Sequence, residues 1–352
     1  MLLSILRGGR FLSLLAVLAA AFAVAGCGGD DNDDDGTAAA DADPVTVQLD
    51  FVPRGNHGMF YVAEANGYFA DEGIEVEEIR PGTGSPDAMR TVASGQADFG
   101  FGDLPTLATA KSQGADVVAL VAVNQTSPLG FCSKAERLEL SEPADMAGNT
   151  MAIHPAGSTF IFYRAFLAAN DLERGDFEER TVTPPYENFL LQDQVDIVQC
   201  YIDAEVPELE AKAGGEGSLS ILLGSDHGYE VLGSGLFTSA ELAESDPELV
   251  QRFVNAYMRA FEFVREDPEE TARIIAEASP ELAGKEDVFE EQLVADEEAT
   301  FTSPHTEEEG LGHMDPTTWQ NTVDVLEQQE VIEGQVEVQS LYDNRFVEEA
   351  SE

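Results

Sequence analysis

The sequence predicts an α/β fold in which strands alternate with covering helices. The clearest signal lies in residues 45–102, where a strand, a helix, a strand, a helix and a third strand follow one another. Val45, Val47 and Leu49 alternate with polar residues, which is the period of a half-buried strand. Such an alternation of strands and helices favours parallel strands flanked by helices.

The later elements of this region follow from the same patterns. Apolar spacing predicts a helix over 59–69, and Gly67 near its end is a typical stop signal. A second strand is predicted over 74–79, a second helix over 88–94 and a third strand over 99–102. Further along the chain, a continuous apolar run at 117–123 predicts a strand that is buried on both faces.

Residues 1–26 have the pattern of a signal peptide. Arg7 and Arg10 form a basic start, and the apolar run that follows is too short to span a bilayer. The run ends in small residues directly before Cys27, which resembles a bacterial lipobox. We therefore expect a lipid on Cys27 that anchors the protein to the outer face of the cell membrane. An ordinary signal peptide with a chance cysteine is the alternative.

The next segment, 27–44, is rich in aspartate and holds no apolar residue larger than alanine beyond Cys27. It cannot bury a core, so it is predicted to be a disordered tether. The spacing of its acids does not match a calcium-binding loop.

The whole chain is strongly acidic, with a formal net charge of −50 at pH 7. Its 43% hydrophobic residues and 20 phenylalanines nevertheless argue for a packed core rather than for disorder. A folded chain with this charge repels itself unless salt screens it, and the screening length falls to about 3 Å at 1 M salt. We interpret the chain as a halophile protein and exclude nucleic acid as a partner.

Five short motifs stand out in the first region: Asp50–His57, Tyr61–Ala63, Gly67–Phe69, Gly73–Val76 and Ser94–Gly100. Together they resemble the motifs of periplasmic substrate-binding proteins of ABC importers, in the branch that binds thiamine pyrimidine precursors, sulfonates and nitrate. Two residues depart from the family pattern: Phe51 replaces a tryptophan, and Arg54 replaces an asparagine and adds a charge.

The resemblance implies a two-lobed α/β fold of the periplasmic-binding-protein type II class. Each lobe would be a mostly parallel sheet flanked by helices, and a hinge with two crossings would join them. Lobe 1 would comprise 45–125 and 229–352, and the inserted lobe 2 would comprise 126–228. The crossings are expected near 124–128 and 224–228.

The resemblance also implies a ligand site in the cleft. Phe51 and either Tyr186 or Tyr201 would stack on a flat ring, Glu205 and Asp103 would accept hydrogen bonds from ring amino groups, and Asn56 and His57 would fix its orientation. Ser158 and Thr159 begin a predicted helix, where free backbone amides bind a polar group, although a plain helix cap is an equal alternative. The candidate ligand-binding residues are Phe51, Asn56, His57, Asp103, Ser158, Thr159, Tyr186, Asn188, Tyr201 and Glu205.

This set suits an aminopyrimidine precursor of thiamine, delivered to an ABC permease and its cytoplasmic ATPase by a monomeric binding protein. The alternative is a sulfonate or nitrate-type anion held by Arg54 and the Ser158–Thr159 corner. A remote alternative is an enzyme similar to the eukaryotic pyrimidine synthases of this family. Those enzymes carry a cysteine-rich cluster that this chain lacks.

No other signal points to catalysis. None of the five histidines has the spacing of a metal site, and no nucleotide-binding or nucleophile motif is complete. We therefore expect no cofactor, no metal and no enzymatic activity.

Two further predictions concern the single tryptophan and the two cysteines beyond Cys27. Trp319, the single tryptophan, sits at helical spacing in the C-terminal part and is predicted to be a core residue. Cys132 and Cys200 fall in predicted central strands and could pair in an exported protein. We favour buried free thiols, because the sequence shows neither their distance nor their orientation.

Overall fold

The computed structural model describes residues 42–183, 187–332 and 336–350. The predicted leader 1–26, Cys27 and Tyr186 lie outside the described residues, as does most of the predicted tether 27–44. Within the described ranges, no helix has both the length and the apolar content needed to cross a membrane.

The described residues form ten strands and fourteen α-helices. The strands are β1 (Asp43–Gln48), β2 (Ile74–Arg80), β3 (Phe99–Asp103), β4 (Val118–Ala122), β5 (Leu129–Lys134), β6 (Thr150–Ile153), β7 (Glu178–Thr181), β8 (Val198–Tyr201), β9 (Leu219–Leu223) and β10 (Ser234–Thr238). The helices are α1 (Gly58–Ala65), α2 (Tyr68–Asp71), α3 (Ser85–Ala93), α4 (Leu104–Ser112), α5 (Ser158–Ala169), α6 (Glu187–Leu191), α7 (Glu205–Ala213), α8 (Ala240–Ser245), α9 (Pro247–Glu266), α10 (Pro268–Glu277), α11 (Glu286–Ala299), α12 (Pro304–Glu309), α13 (Pro316–Gln328) and α14 (Arg345–Ala350).

The first sheet has the strand order β2-β1-β3-β10-β4. β1 pairs in parallel with β2 and with β3, as the alternation of strands and helices predicts. β10 inserts between β3 and β4 and is antiparallel to both. The α/β class is therefore confirmed, and the sheet is mostly parallel: β2, β1, β3 and β4 run in one direction, and β10 runs opposite to them.

The second sheet, β8-β5-β9, is antiparallel throughout. The parallel pair of β6 and β7 lies beside it, joined through a parallel bridge between Met151 and Ile197 and through neighbouring backbone hydrogen bonds. β8 and β9 both run opposite to β5, and the Met151–Ile197 bridge is parallel, so β6, β7, β8 and β9 share one direction and β5 opposes them. The strands of this region are therefore mostly parallel, as expected. The chain leaves the first sheet after β4 and returns to it at β10, and the proposed lobe boundaries at 125/126 and 228/229 stay a prediction.

The predicted helix over 59–69 is divided into α1 and α2. Gly67 separates them with a φ of 75°, a left-handed conformation that glycine adopts without the penalty of a Cβ atom. The break turns the chain so that Phe69 is buried against Phe253 of α9, with ring centroids 4.9 Å apart.

Aromatic packing holds the helices on the first sheet. Phe99 of β3 stacks on Phe253 at a centroid distance of 3.7 Å. On another part of the same fold, Trp319 is 0% exposed and stacks on Tyr342. The prediction that Trp319 is a core residue is confirmed.

Cys132 and Cys200 form a disulfide, so the expectation of free thiols is wrong. The two residues lie on the neighbouring strands β5 and β8, and their Cα atoms are 5.9 Å apart. The strand pairing that creates this proximity is a tertiary feature, which the positions of the cysteines in the sequence do not reveal.

We expect reduction of this disulfide to lower the thermal unfolding midpoint, because it closes a chain segment of 68 residues and a native disulfide is typically worth about 2–4 kcal/mol. Calorimetry with and without reductant measures the shift. The double variant C132A/C200A serves as the control and should not respond to reductant. Alkylation of both cysteines in the denatured, unreduced protein would contradict the bond.

Candidate functional site

A cavity of about 220 Å³ opens where several strands end. Asp50 and Phe51 follow β1, Ser158 and Thr159 follow β6, and Tyr201 is the last residue of β8. Open α/β sheets bind ligands at the carboxyl ends of their strands, because loops there present side chains and helix N-termini to one crevice. The cavity is therefore the candidate ligand site.

The wall nearest β8 is a hydrogen-bonded network. The hydroxyl groups of Ser158 and Tyr201 are 2.6 Å apart, and the backbone amide of Tyr201 donates to Glu205 Oε2 at 2.9 Å. Burial raises the pKa of Glu205 to about 7, and the charge of Glu187 adds to this effect while Arg54 opposes it. Glu205 thus offers a carboxylate above pH 7 and a carboxyl group below it.

Arg54 is the cation that lines the cavity. Its guanidinium carbon lies 4.9 Å from the ring centroid of Phe51 and 5.6 Å from that of Tyr201. Burial alone would lower its pKa, but the carboxylates of Glu205 and Asp50 raise it above the ordinary value. Arg54 is therefore charged throughout the accessible pH range.

Asp50 is held in place from behind by His57. His57 is 0% exposed, and its Nδ1 accepts a hydrogen bond from the backbone amide of Arg54 at 3.1 Å. Its Nε2 therefore carries the proton and donates to Asp50 Oδ1 at 3.0 Å. Burial would raise the pKa of Asp50, but the hydrogen bond from His57 and the charge of Arg54 outweigh it and hold that pKa below its usual value.

Half of the sequence-predicted site residues line the cavity. They are Phe51, Ser158, Thr159, Tyr201 and Glu205. The structure does not bring the other four described candidates to the cavity wall. Asn56, His57 and Asp103 are at most 3% exposed and lie behind it, and Asn188 is exposed to solvent. Asp103 caps α4 by accepting from the backbone amide of Thr106 at 2.9 Å.

The sequence reasoning missed several lining residues. Asp50, Asp87, His154 and Glu187 line the cavity although the sequence analysis does not assign them to the ligand, and it assigns Arg54 only to the anion alternative. Asp50 lies in a recognised motif and directly follows a predicted strand. Its position at a strand end could therefore have identified it as a residue of the ligand site. Glu187 offered no such signal, because its place depends on how α6 packs against α7.

A buried polar junction lies beneath the cavity, where α11 meets both the 54–57 turn and the end of β8. The side chain of Gln292 accepts from the backbone amide of Gly55 and donates to the carbonyl of Ala204, each at 2.8 Å. Asn56 donates to Asp203 at 3.2 Å, which ties the same two segments together directly.

Asp203 and Asp296 form the centre of this polar junction and are both 0% exposed. Asp203 Oδ1 and Asp296 Oδ2 accept from no donor among the described residues, and each carboxyl group shifts the pKa of the other. Two carboxylates cannot donate to each other and repel in a buried site, so we infer that one of the two holds a proton. Burial, together with the charge of Asp203, raises the pKa of Asp296 well above its usual value, and burial raises that of Asp203 to about 6.

The chain passes from the first sheet to the second and back again, and a cavity lies at the ends of the strands. This arrangement defines an α/β binding fold. A family model described as NMT1/THI5 like matches residues 54–271, which is more than half of the chain. The chain belongs to this family.

Named relatives include binding proteins and enzymes. The riboflavin-binding protein RibY of Chloroflexus aurantiacus is 26% identical over 309 residues, which is 86% of each chain. The formylaminopyrimidine-binding protein of Halalkalibacterium halodurans is 26% identical and covers 66% of this chain and 70% of its own length. A 4-amino-5-hydroxymethyl-2-methylpyrimidine phosphate synthase of Legionella pneumophila is 24% identical over 68% of this chain and 74% of its own.

Solved structures show the same fold at low identity. The putative periplasmic sulfonate-binding protein SsuA of Methylobacillus flagellatus matches with a TM-score of 0.64 and 19% identity, over 88% of this chain and 94% of its own. The expected periplasmic-binding-protein fold is confirmed.

We expect the stability of the protein to fall as pH rises above 3.8, because the folded state binds protons on Asp203 and Asp296 more tightly than the unfolded chain, whose aspartates titrate near 3.8. The contribution of these protons is complete below that value and is lost at higher pH. The part due to Asp203 is lost by about pH 6, and the part due to Asp296 persists to higher pH. From the shift of Asp203, its part of the loss is on the order of 3 kcal/mol. Asp296→Asn replaces the shared proton with an amide donor and should flatten this dependence.

Chemical denaturation between pH 5 and 8 measures the effect. Asp226→Asn, at an exposed position, is the control and should keep the slope of the wild type. Identical slopes for the wild type and Asp296→Asn would show that the pair does not share a proton.

Proposed function

We propose that this protein is an extracytoplasmic solute-binding protein that delivers an aminopyrimidine, a precursor of thiamine, to an ABC importer. The observation that carries the proposal is the cavity at the strand ends, in which an aromatic side chain and a half-buried carboxylate face the same space. Phe51 and Tyr201 offer rings for stacking, and Glu205 offers an acceptor for an amino group.

The size of the cavity supports a single-ring ligand. Its volume of about 220 Å³ lies below the range of roughly 300–1,000 Å³ that is typical for drug-sized ligands. A pyrimidine fits this space better than the three fused rings of a flavin. The formylaminopyrimidine-binding relative supports the same choice.

A sulfonate or nitrate-type anion is the second candidate. It is favoured by Arg54 and the Ser158–Thr159 start of α5, which line the same cavity. Asp50, Asp87, Glu187 and Glu205 line it too, so an anion meets more carboxylates than cations on entry. The charge balance therefore favours a ligand that brings hydrogen-bond donors.

We propose that the protein acts by binding and not by catalysis. The two relatives named as binding proteins each match at 26% identity, against 24% for the Legionella synthase. His57 and Asp103, which could serve proton transfer in a cleft, hold the scaffold from behind the cavity instead.

The protein would act outside the cytoplasm, anchored to the membrane. A lipid on Cys27 would hold a monomer at the outer face of the membrane, close to the permease that receives the ligand. The high negative charge suits a saline exterior, where salt screens the repulsion among the acids.

Glu205→Gln should weaken binding of an aminopyrimidine by roughly tenfold or more, because it replaces one charged acceptor oxygen with a donor. Phe51→Ala should weaken it as well, through the loss of stacking on the ring. Calorimetric titration at pH 8, where Glu205 is ionised, measures both effects.

Each variant has a neighbouring control. Glu208→Gln changes an acid on the same helix that pairs with Lys212 at the surface, and Val52→Ala changes an exposed side chain next to Phe51. Neither should alter affinity. Binding of methanesulfonate alone by the wild type, unaffected by Glu205→Gln, would favour the anion candidate instead.

Cys27→Ser should release a folded protein from the membrane, because the serine hydroxyl does not take the place of the lipidated thiol. Fractionation and intact mass of the mature protein give the measurement, and Asn32→Ser in the tether is the control. A Cys27→Ser variant that keeps the wild-type mass and resists a high-salt wash would disprove lipidation.

A further inference from the structure

Arg54 differs from every other arginine in the described part of the chain. Each of the others donates a side-chain hydrogen bond or forms an ion pair with a protein group, such as Arg252 with Asp43 and Arg265 with Glu297. The guanidinium of Arg54 donates no hydrogen bond and forms no ion pair among the described residues, and it lies over the rings of Phe51 and Tyr201. Its N–H groups are therefore available to a molecule in the cavity that Arg54 lines.

The position of this guanidinium is fixed even though its donors are unused. The backbone amide of Arg54 is held by His57 Nδ1, and the next residue, Gly55, is held by Gln292 Oε1 at 2.8 Å. The two aromatic contacts restrict the side chain further. A preorganised donor loses less freedom when it binds, so it discriminates better between ligands.

The charge of Arg54 is already compensated. The carboxylates of Glu205, Asp50 and Asp203 act on it and stabilise its charged form. A ligand therefore has no need to supply a negative charge, and an anion in this place would be repelled by the same carboxylates. A neutral acceptor satisfies the unused donors without that repulsion.

We propose that Arg54 determines specificity by donating to a carbonyl oxygen on the ligand, beside the amino group that Glu205 accepts from. The ligand class is then a heterocycle whose edge carries both an amino group and a carbonyl group. This inference rests on the proposed function. It adds that the ligand carries a hydrogen-bond acceptor, a carbonyl oxygen, on the same edge as its amino group.

Cytosine and 4-aminopyrimidine test the inference, because both carry the amino group and cytosine adds a ring carbonyl. We expect the wild type to bind cytosine about tenfold more tightly, as one hydrogen bond from a charged donor implies. Arg54→Met should bring the two affinities to within about threefold by weakening cytosine alone. Arg54→Lys, which keeps the charge without the planar fork, should retain part of the preference.

Calorimetric titration at pH 8 gives the affinities, and thermal unfolding checks that each variant is folded. If Arg54→Met does not fold, Arg54→Lys supplies the comparison. Arg80→Met is the control, since Arg80 donates to Glu78 and to the carbonyl of Gln96 away from the cavity. It should preserve the wild-type ratio.

An unchanged ratio in both Arg54 variants would overturn the inference. A wild type that binds the two heterocycles equally, with both weakened by Glu205→Gln, would reject the role of Arg54 and leave the proposed function standing. A wild type that binds neither heterocycle, or binds only methanesulfonate, would reject both.

Discussion

The cleft depends on the buried polar junction around Gln292, Asn56, Asp203 and Asp296. Gln292 connects the turn that carries Arg54 to the segment that carries Glu205, through the backbone of Gly55 and Ala204, and the hydrogen bond from Asn56 to Asp203 joins the same two segments. These are the two segments whose side chains face each other across the cavity. Because the junction is buried, each of its hydrogen bonds is costly to leave unmade, which fixes the spacing of the two walls.

This junction also explains how a strongly acidic chain keeps so many carboxyl groups in its interior. Asp50 stays ionised because His57 and Arg54 stabilise its charge, whereas Asp203 and Asp296 avoid a double charge by sharing a proton. Glu205 lies between these cases, with a pKa of about 7. One guanidinium, on Arg54, thus influences the ionisation of carboxyl groups on both sides of the cavity.

The arrangement separates the residues that build the cleft from those that face it. His57 lies in a recognised motif and Asp103 ends β3, but they hold Asp50 and the start of α4 in place. Phe51, Arg54 and Glu205 face the cavity instead. A motif identifies the backbone geometry that a family shares, and the side chains at its edge are free to differ between ligands.

The sequence by itself determined the α/β class, the order of strands and helices over 45–102, and the burial of Trp319, because these follow from local periodicity and composition. It also placed Phe51 and Glu205 near strand ends, where ligands bind. Only the tertiary structure decided that β10 runs antiparallel inside the first sheet, that Cys132 meets Cys200, and that Asn56 turns inward to Asp203. Each of these depends on contacts between residues that are far apart in the chain, and no local pattern records which distant partners will meet.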